Sequence, residues 1–138
     1  IFNGRRRECF EKILSGRLCG TIFMRRETPL NAKKHWLVHT LKSKGDVFID
    51  AGAAAALLNK GASLLPSGVI RVLGRFKQGN AVTIRTEAEI IAQGIVQYDA
   101  TELENIIGKK SSEIKKVLGY ILTDEVVHRD DMVILNKE

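Results

Sequence analysis

Downstream of residue 45, short runs of alternating apolar and polar residues are separated by stretches in which apolar residues recur every three or four positions. Asp46 to Asp50 alternates as a strand, with Val47 and Ile49 on one face. Asp50 is placed to cap an alanine-rich helix, Ala53 to Lys60, which Gly61 closes from the C′ position. Three further strands are predicted over Gly68 to Gly74, Ala81 to Thr86 and Glu89 to Tyr98, with Gln78-Gly79-Asn80 supplying the turn between the first two. Asp99 with Glu102 forms a capping box for a helix carrying Leu103, Ile106 and Ile107. Ser111 or Ser112 is expected to cap another helix, with Ile114, Val117 and Leu118 inward and Gly119 as its stop. The stretch Glu125 to Leu135 is β-branched and strand-like at both ends.

The first third of the chain has a different rhythm. Cys9, Phe10, Ile13 and Leu14 share one face of a helix over Arg5 to Ser15, stopped by Gly16. Gly20 to Met24 reads as a short strand, and Thr28 opens a second helix in which Trp36, Leu37 and Leu41 offer an apolar face. Lys42-Ser43-Lys44-Gly45 reads as a polar, flexible linker. The linker divides the chain into residues 1–44 and a unit over 45–138. In the second unit strands outnumber βαβ crossovers, so the pattern predicts a mixed α/β fold built on a compact, barrel-like sheet.

Composition narrows the class. A chain of 138 residues, 44% hydrophobic and 28% charged, has material for one ordinary core or two small ones. Its longest purely apolar run, Ala53 to Leu58, is far below the roughly 20 residues that span a bilayer, so no membrane partner is expected. The opening IFNGRRRECF lacks the apolar core and cleavage site of a secretory signal, and Ile1 reads as the cut end of a longer protein. Cys9 and Cys19 are too few for a disulfide framework and are expected as two reduced thiols, in keeping with a cytoplasmic location. The net charge of +6 is unevenly spread. Residues 1–44 hold eleven Lys and Arg against three Glu, a balance of +8, and the rest of the chain carries −2. Bulk charge therefore gives no ground for nucleic-acid binding by residues 45–138.

The candidate catalytic motifs do not hold together. His128-Arg129-Asp130 spells the catalytic-loop triplet of protein kinases, but the metal-binding Asn expected five residues after the Asp is Leu135. On a strand Asp130 and Asp131 would point to opposite faces and would not share a metal. Gly74 to Gly79 has the glycine spacing of a phosphate-binding loop but runs into Asn80-Ala81 where Lys-Ser/Thr is needed. His35 and His39 share a helix face without the intervening Glu of a zinc protease, and Cys9 and Cys19 are spaced too widely for a zinc knuckle. No catalytic, cofactor-binding or metal-binding residue is expected in this chain.

Basic residues of the second unit gather in one place. Lys60 ends the alanine-rich helix, and Arg71, Arg75 and Lys77 surround the strand that follows. With Phe76 between them as a stacking ring, these four make a candidate RNA-binding patch. The alternative is a solvated strand edge blunted by charge against pairing with other sheets.

Five segments, in order, carry a resemblance to a known family: GTIF (20–23), NAKKHWLV (31–38), DAGAAAALLNKGASLLPSGV (50–69), VLGYIL (117–122) and VVHRDDMVIL (126–135). Together they resemble the C-terminal part of the bacterial glutamate 5-kinases. That family joins an amino-acid kinase domain, which phosphorylates glutamate with magnesium-ATP at the start of proline synthesis, to a C-terminal PUA domain. The resemblance implies a small PUA-like pseudo-barrel with flanking helices over 45–138, preceded over 1–44 by the last elements of an α/β kinase domain and the linker. It places ATP, magnesium and every catalytic residue in the kinase domain upstream, leaving this chain non-catalytic. The implied partners are that kinase domain and a second copy of the protein, with RNA as an alternative because PUA domains bind RNA in many RNA-modifying enzymes.

Overall fold

The computed structural model describes residues 7–17, 19–21, 36, 37 and 40–135. Most of the strand expected from Gly20, most of the helix expected from Thr28, and the His35/His39 pair lie outside the described residues.

Helix α1 spans Arg7–Leu14, and Gly16 ends it with φ of +77°. Its expected apolar face finds little cover, since Phe10 and Leu14 are exposed. Cys9 and Cys19, expected as separate thiols, are joined in a disulfide with their Cα atoms 5.4 Å apart. The turn after α1 folds the chain back so that two residues ten apart come within bridging distance.

The remaining elements are β1 (Gly45–Ile49), α2 (Ala51–Lys60), a 3-10 turn (Pro66–Gly68), β2 (Val69–Gly74), β3 (Ala81–Arg85), β4 (Ile90–Ile95), α3 (Ala100–Ile106), α4 (Ser111–Leu118), a second 3-10 turn (Arg129–Asp131) and β5 (Met132–Ile134). They build one unclosed five-stranded sheet in the order β2-β1-β3-β4-β5, in which β1 and β3 are parallel and every other pair is antiparallel. An additional bridge joins Leu64 to Val127, so the stretch before β5 is tied to the loop after α2.

Local chemistry accounts for these boundaries. Asp50 Oδ1 accepts the Ala53 amide at 2.7 Å, and Gly61 leaves α2 in the left-handed region at φ +57°. Asn80 Oδ1 accepts the Lys77 amide at 3.1 Å within the turn that connects β2 to β3. Glu102 Oε2 accepts the Asp99 amide at 2.9 Å, as the capping-box spacing requires.

Helix α4 departs from expectation at both its cap and its face. Its N-cap is Lys110, whose amide donates to Glu113 Oε2 at 3.0 Å, while the Ser111 hydroxyl donates to the Asp124 carbonyl. Ile114 is fully buried, but Val117 is 43% exposed. A helix of eight residues beside α3 presents only a narrow stripe, and Ile114 and Leu118 fill it.

One core packs against the sheet. Val47, Ile49, Val72 and Ile84 from the strands meet Leu57 of α2, Leu103 and Ile106 of α3, Ile114 of α4 and Val126, Val127 and Met132 near the C-terminus. Tyr98 is buried among them, and its hydroxyl donates to the Thr123 carbonyl and accepts the Thr123 amide, so the buried phenol is satisfied.

Candidate nucleic-acid interface

Register brings together a basic and aromatic row that spans three strands. Phe48 on β1 stands opposite Arg71 on β2 and opposite Arg85 on β3. The guanidinium carbon of Arg71 lies 4.0 Å from the Phe48 ring centroid and that of Arg85 lies 5.4 Å away, both within cation–π range. Phe48 is only 5% exposed under these arginines. Glu87, on the turn between β3 and β4, pairs with Arg71 at 3.0 Å. The pair is solvated on both sides, so salt screens it.

Phe76, expected as the stacking ring of the patch, is a core residue at 3% exposure. The polar-apolar-polar order Arg75-Phe76-Lys77 turns its ring away from the two cations, and a Cβ on Gly45 would come within 2.8 Å of that ring. The aromatic group among the cations is Phe48, and Arg85 joins Arg71 there. Both were legible only through register, because they sit on strands separated by a turn or a helix in the chain.

Lys77 is engaged elsewhere. Its Nζ lies 2.9 Å from Asp99 Oδ2, and Asp99 Oδ1 accepts the Gln78 amide at 2.7 Å. The hydrogen bond and charge of Asp99 raise the Lys77 pKa, and the hydrogen bond from Lys77, followed by that from the Gln78 amide, holds the Asp99 carboxyl below its usual range. Lys60 closes α2 and Arg75 follows β2, both exposed and, among the described residues, without an ion pair. Of the four cations singled out, two are therefore paired with carboxylates and two are not.

The kinase-like triplet has a structural role. His128 Nδ1 accepts the Asp130 amide at 3.2 Å, and the Arg129 amide donates to Ser63 Oγ at 3.1 Å. The first caps the second 3-10 turn, and the second holds that turn against the loop that follows α2. Between α2 and that loop lies a groove of about 380 Å³ with small side chains on its floor, among them Ala53, Ala56 and Ala62. Among the described residues its only charged lining residue is Asp50, an anion that disfavours a phosphate there.

The fold and its sequence define the class: residues 45–118 match the PUA domain family, and the chain belongs to it. Strand β5 lies beyond the matched segment and completes the same sheet. Over nearly its whole length the chain is also similar to glutamate 5-kinases. That of Idiomarina loihiensis is 47% identical over 137 residues, which cover 98% of this chain and 37% of the relative. That of Geobacter sulfurreducens is 42% identical over 136 residues, covering 98% of this chain and 36% of the relative. The chain thus spans little more than a third of the length of the curated relatives it matches. Among solved structures, a PUA domain from Aeropyrum pernix K1 aligns at 30% identity over 62% of this chain and 41% of its own, with a TM-score of 0.45. Among the described residues no helix is long and apolar enough to cross a membrane.

Proposed function

We propose that this chain is the C-terminal part of an ATP-dependent glutamate 5-kinase and that its PUA domain is a non-catalytic structural or regulatory appendage of that enzyme. The observation that carries this reading is the 42–47% identity to glutamate 5-kinases along 98% of the chain. In this reading residues 1–44 are the end of the kinase domain and its connection, and residues 45–138 form the PUA unit. The parent enzyme transfers the γ-phosphoryl group of ATP to the γ-carboxylate of glutamate in the cytoplasm, at the first step of proline biosynthesis. ATP and magnesium bind in the kinase domain. The described residues present no group of three or more His, Cys, Asp or Glu arranged to hold a metal ion, and no step of the transfer is assigned to them. The partners are the enzyme's own kinase domain and further copies of the protein. The coding sequence upstream of Ile1 tests the reading: it should encode an amino-acid kinase domain of roughly 200 residues or more, within the single-domain range. An unrelated upstream sequence overturns it.

A second reading, RNA binding, draws support from Arg71 and Arg85 around Phe48, with Lys60 and Arg75 as cations that have no ion pair among the described residues and Lys77 as a weaker contributor because Asp99 holds it. Titration against a structured RNA should show an affinity that falls with salt in proportion to the phosphates contacted. No binding at low salt, or binding unchanged by Arg71→Ala combined with Arg75→Ala, excludes this site.

A further inference from the structure

Residues 41–44 carry no regular secondary structure, yet their bonds are those of a docked segment. Thr83 on β3 stands opposite Gln93 on β4, and its neighbours Val82 and Ile84 point into the core, so Thr83 and Gln93 face the other side of the sheet. Gln93 is nevertheless only 9% exposed. What covers it is the chain that enters β1. Gln93 Nε2 donates to the Leu41 carbonyl at 2.9 Å, Thr83 Oγ1 donates to Ser43 Oγ at 3.0 Å, and the Lys44 amide donates to the Ala81 carbonyl at 2.9 Å. The Ser43 hydroxyl in turn donates to the Gly45 carbonyl at 2.8 Å, which closes the bend. Just upstream, Leu37 is fully buried.

We propose that residues 41–44 are a fixed strap whose docking surface is the outer face of β3 and β4, so that this sheet sets the orientation of the chain preceding it. The bond from Gln93 Nε2 to the Leu41 carbonyl is made only while the strap is seated, where little water competes for it. The polar composition of Lys42-Ser43-Lys44 that reads as a flexible tether instead supplies the hydroxyl and backbone groups the sheet requires. Where the preceding chain is the kinase domain, which rests on the reading above, the strap prevents the PUA unit from pivoting freely and carries movement at residues 41–44 directly into β4.

Lys42 and Lys44 have exposed side chains in the strap itself, so trypsin reads its seating directly. Limited digestion of the whole 138-residue chain, with cleavage after Lys42 and Lys44 followed by mass spectrometry, is compared with a synthetic peptide of residues 38–48. Cleavage in the folded chain should be at least about tenfold slower than in the peptide, because local opening limits it. Gln93→Ala should speed it by roughly five- to tenfold, as expected for one lost hydrogen bond, and Ser43→Ala, which loses the bonds to Thr83 and to Gly45, by at least as much, while Ser112→Ala has no effect. Ser43 lies outside the sheet, so its variant decides the matter if Gln93→Ala fails to fold by circular dichroism. Cleavage at the peptide's rate, or rates unchanged by Ser43→Ala, overturns the proposal. Neither result depends on enzymatic activity, so the strap and the kinase reading fail separately.

Discussion

Lys77 and Asp99 join the end of β2 to the start of α3: Lys77 Nζ lies 2.9 Å from Asp99 Oδ2, and Asp99 Oδ1 holds the amide of Gln78. The pair explains why Lys77, two residues after Arg75, contributes little free positive charge. It also has a defined pH window. Asp99 titrates lower in the folded chain than in the unfolded one, so its contribution is present above the unfolded value and is lost as pH falls through the folded one. Lys77 titrates higher when folded, so its contribution is present below the unfolded value and is lost as pH rises through the folded one. Across neutral pH the pair is intact. Followed by NMR, the Gln78 amide should titrate below the ordinary aspartate range, and Lys77→Ala should move that midpoint upward. An unmoved midpoint would show that Lys77 does not hold Asp99.

Gly45 and Gly94 are sites where a single methyl group does not fit. A Cβ on Gly45 would lie 2.3 Å from the Leu73 carbonyl oxygen, and one on Gly94 would lie 2.5 Å from Val127 Cγ1. Gly45→Ala and Gly94→Ala should each destabilise by roughly 1–3 kcal/mol in urea unfolding through overpacking. Gly61→Ala meets no atom within 4 Å and is limited to the strain of φ +57°, on the order of 1 kcal/mol. Equal losses at all three positions would contradict the packing described.

Helix α4 separates Ile114 from Val117. Truncating fully buried Ile114 to Ala should cost roughly 2–5 kcal/mol, whereas Val117→Ala on the exposed side should stay within about 0.5 kcal/mol. Chemical denaturation of the two variants distinguishes this face from the one the apolar spacing predicts. A large loss at Val117 would restore the spacing-based face.

Tyr120 donates to Glu102 Oε1, and that bond together with partial desolvation and the carboxylate's charge raises the phenol to about 12. Because the folded value lies above the unfolded one, the stabilisation is present below the unfolded value and fades as pH rises through the folded one. Phenolate absorbance should resolve one late-titrating tyrosine, and Glu102→Gln should return it toward the ordinary range of about 10. A late transition that survives Glu102→Gln would place its cause elsewhere.

Most elements were legible because their signals are local. Asp50 and Gly61 bracket α2, Glu102 caps α3, and Val47 and Ile49 face the core, all within a few residues of the feature they determine. The order of strands in the sheet and the Arg71-Phe48-Arg85 row were not legible, since they depend on β1 lying between β2 and β3. The spacing around Phe76 suggested a stacking ring, although the alternation that turns it inward was present in the same three residues. Lys42 to Gly45 could not be read from composition for another reason: polar residues without periodicity describe a solvated tether and a hydrogen-bonded segment equally well.

In the function proposed above, glutamate phosphorylation belongs to a longer protein and not to residues 1–138. The most direct measurement is glutamate-dependent release of ADP from magnesium-ATP by the full-length gene product and by residues 1–138 alone. Activity in the full-length protein and none above background in residues 1–138 is the predicted result. Turnover by residues 1–138, or a folded full-length protein without glutamate-dependent turnover, would contradict it.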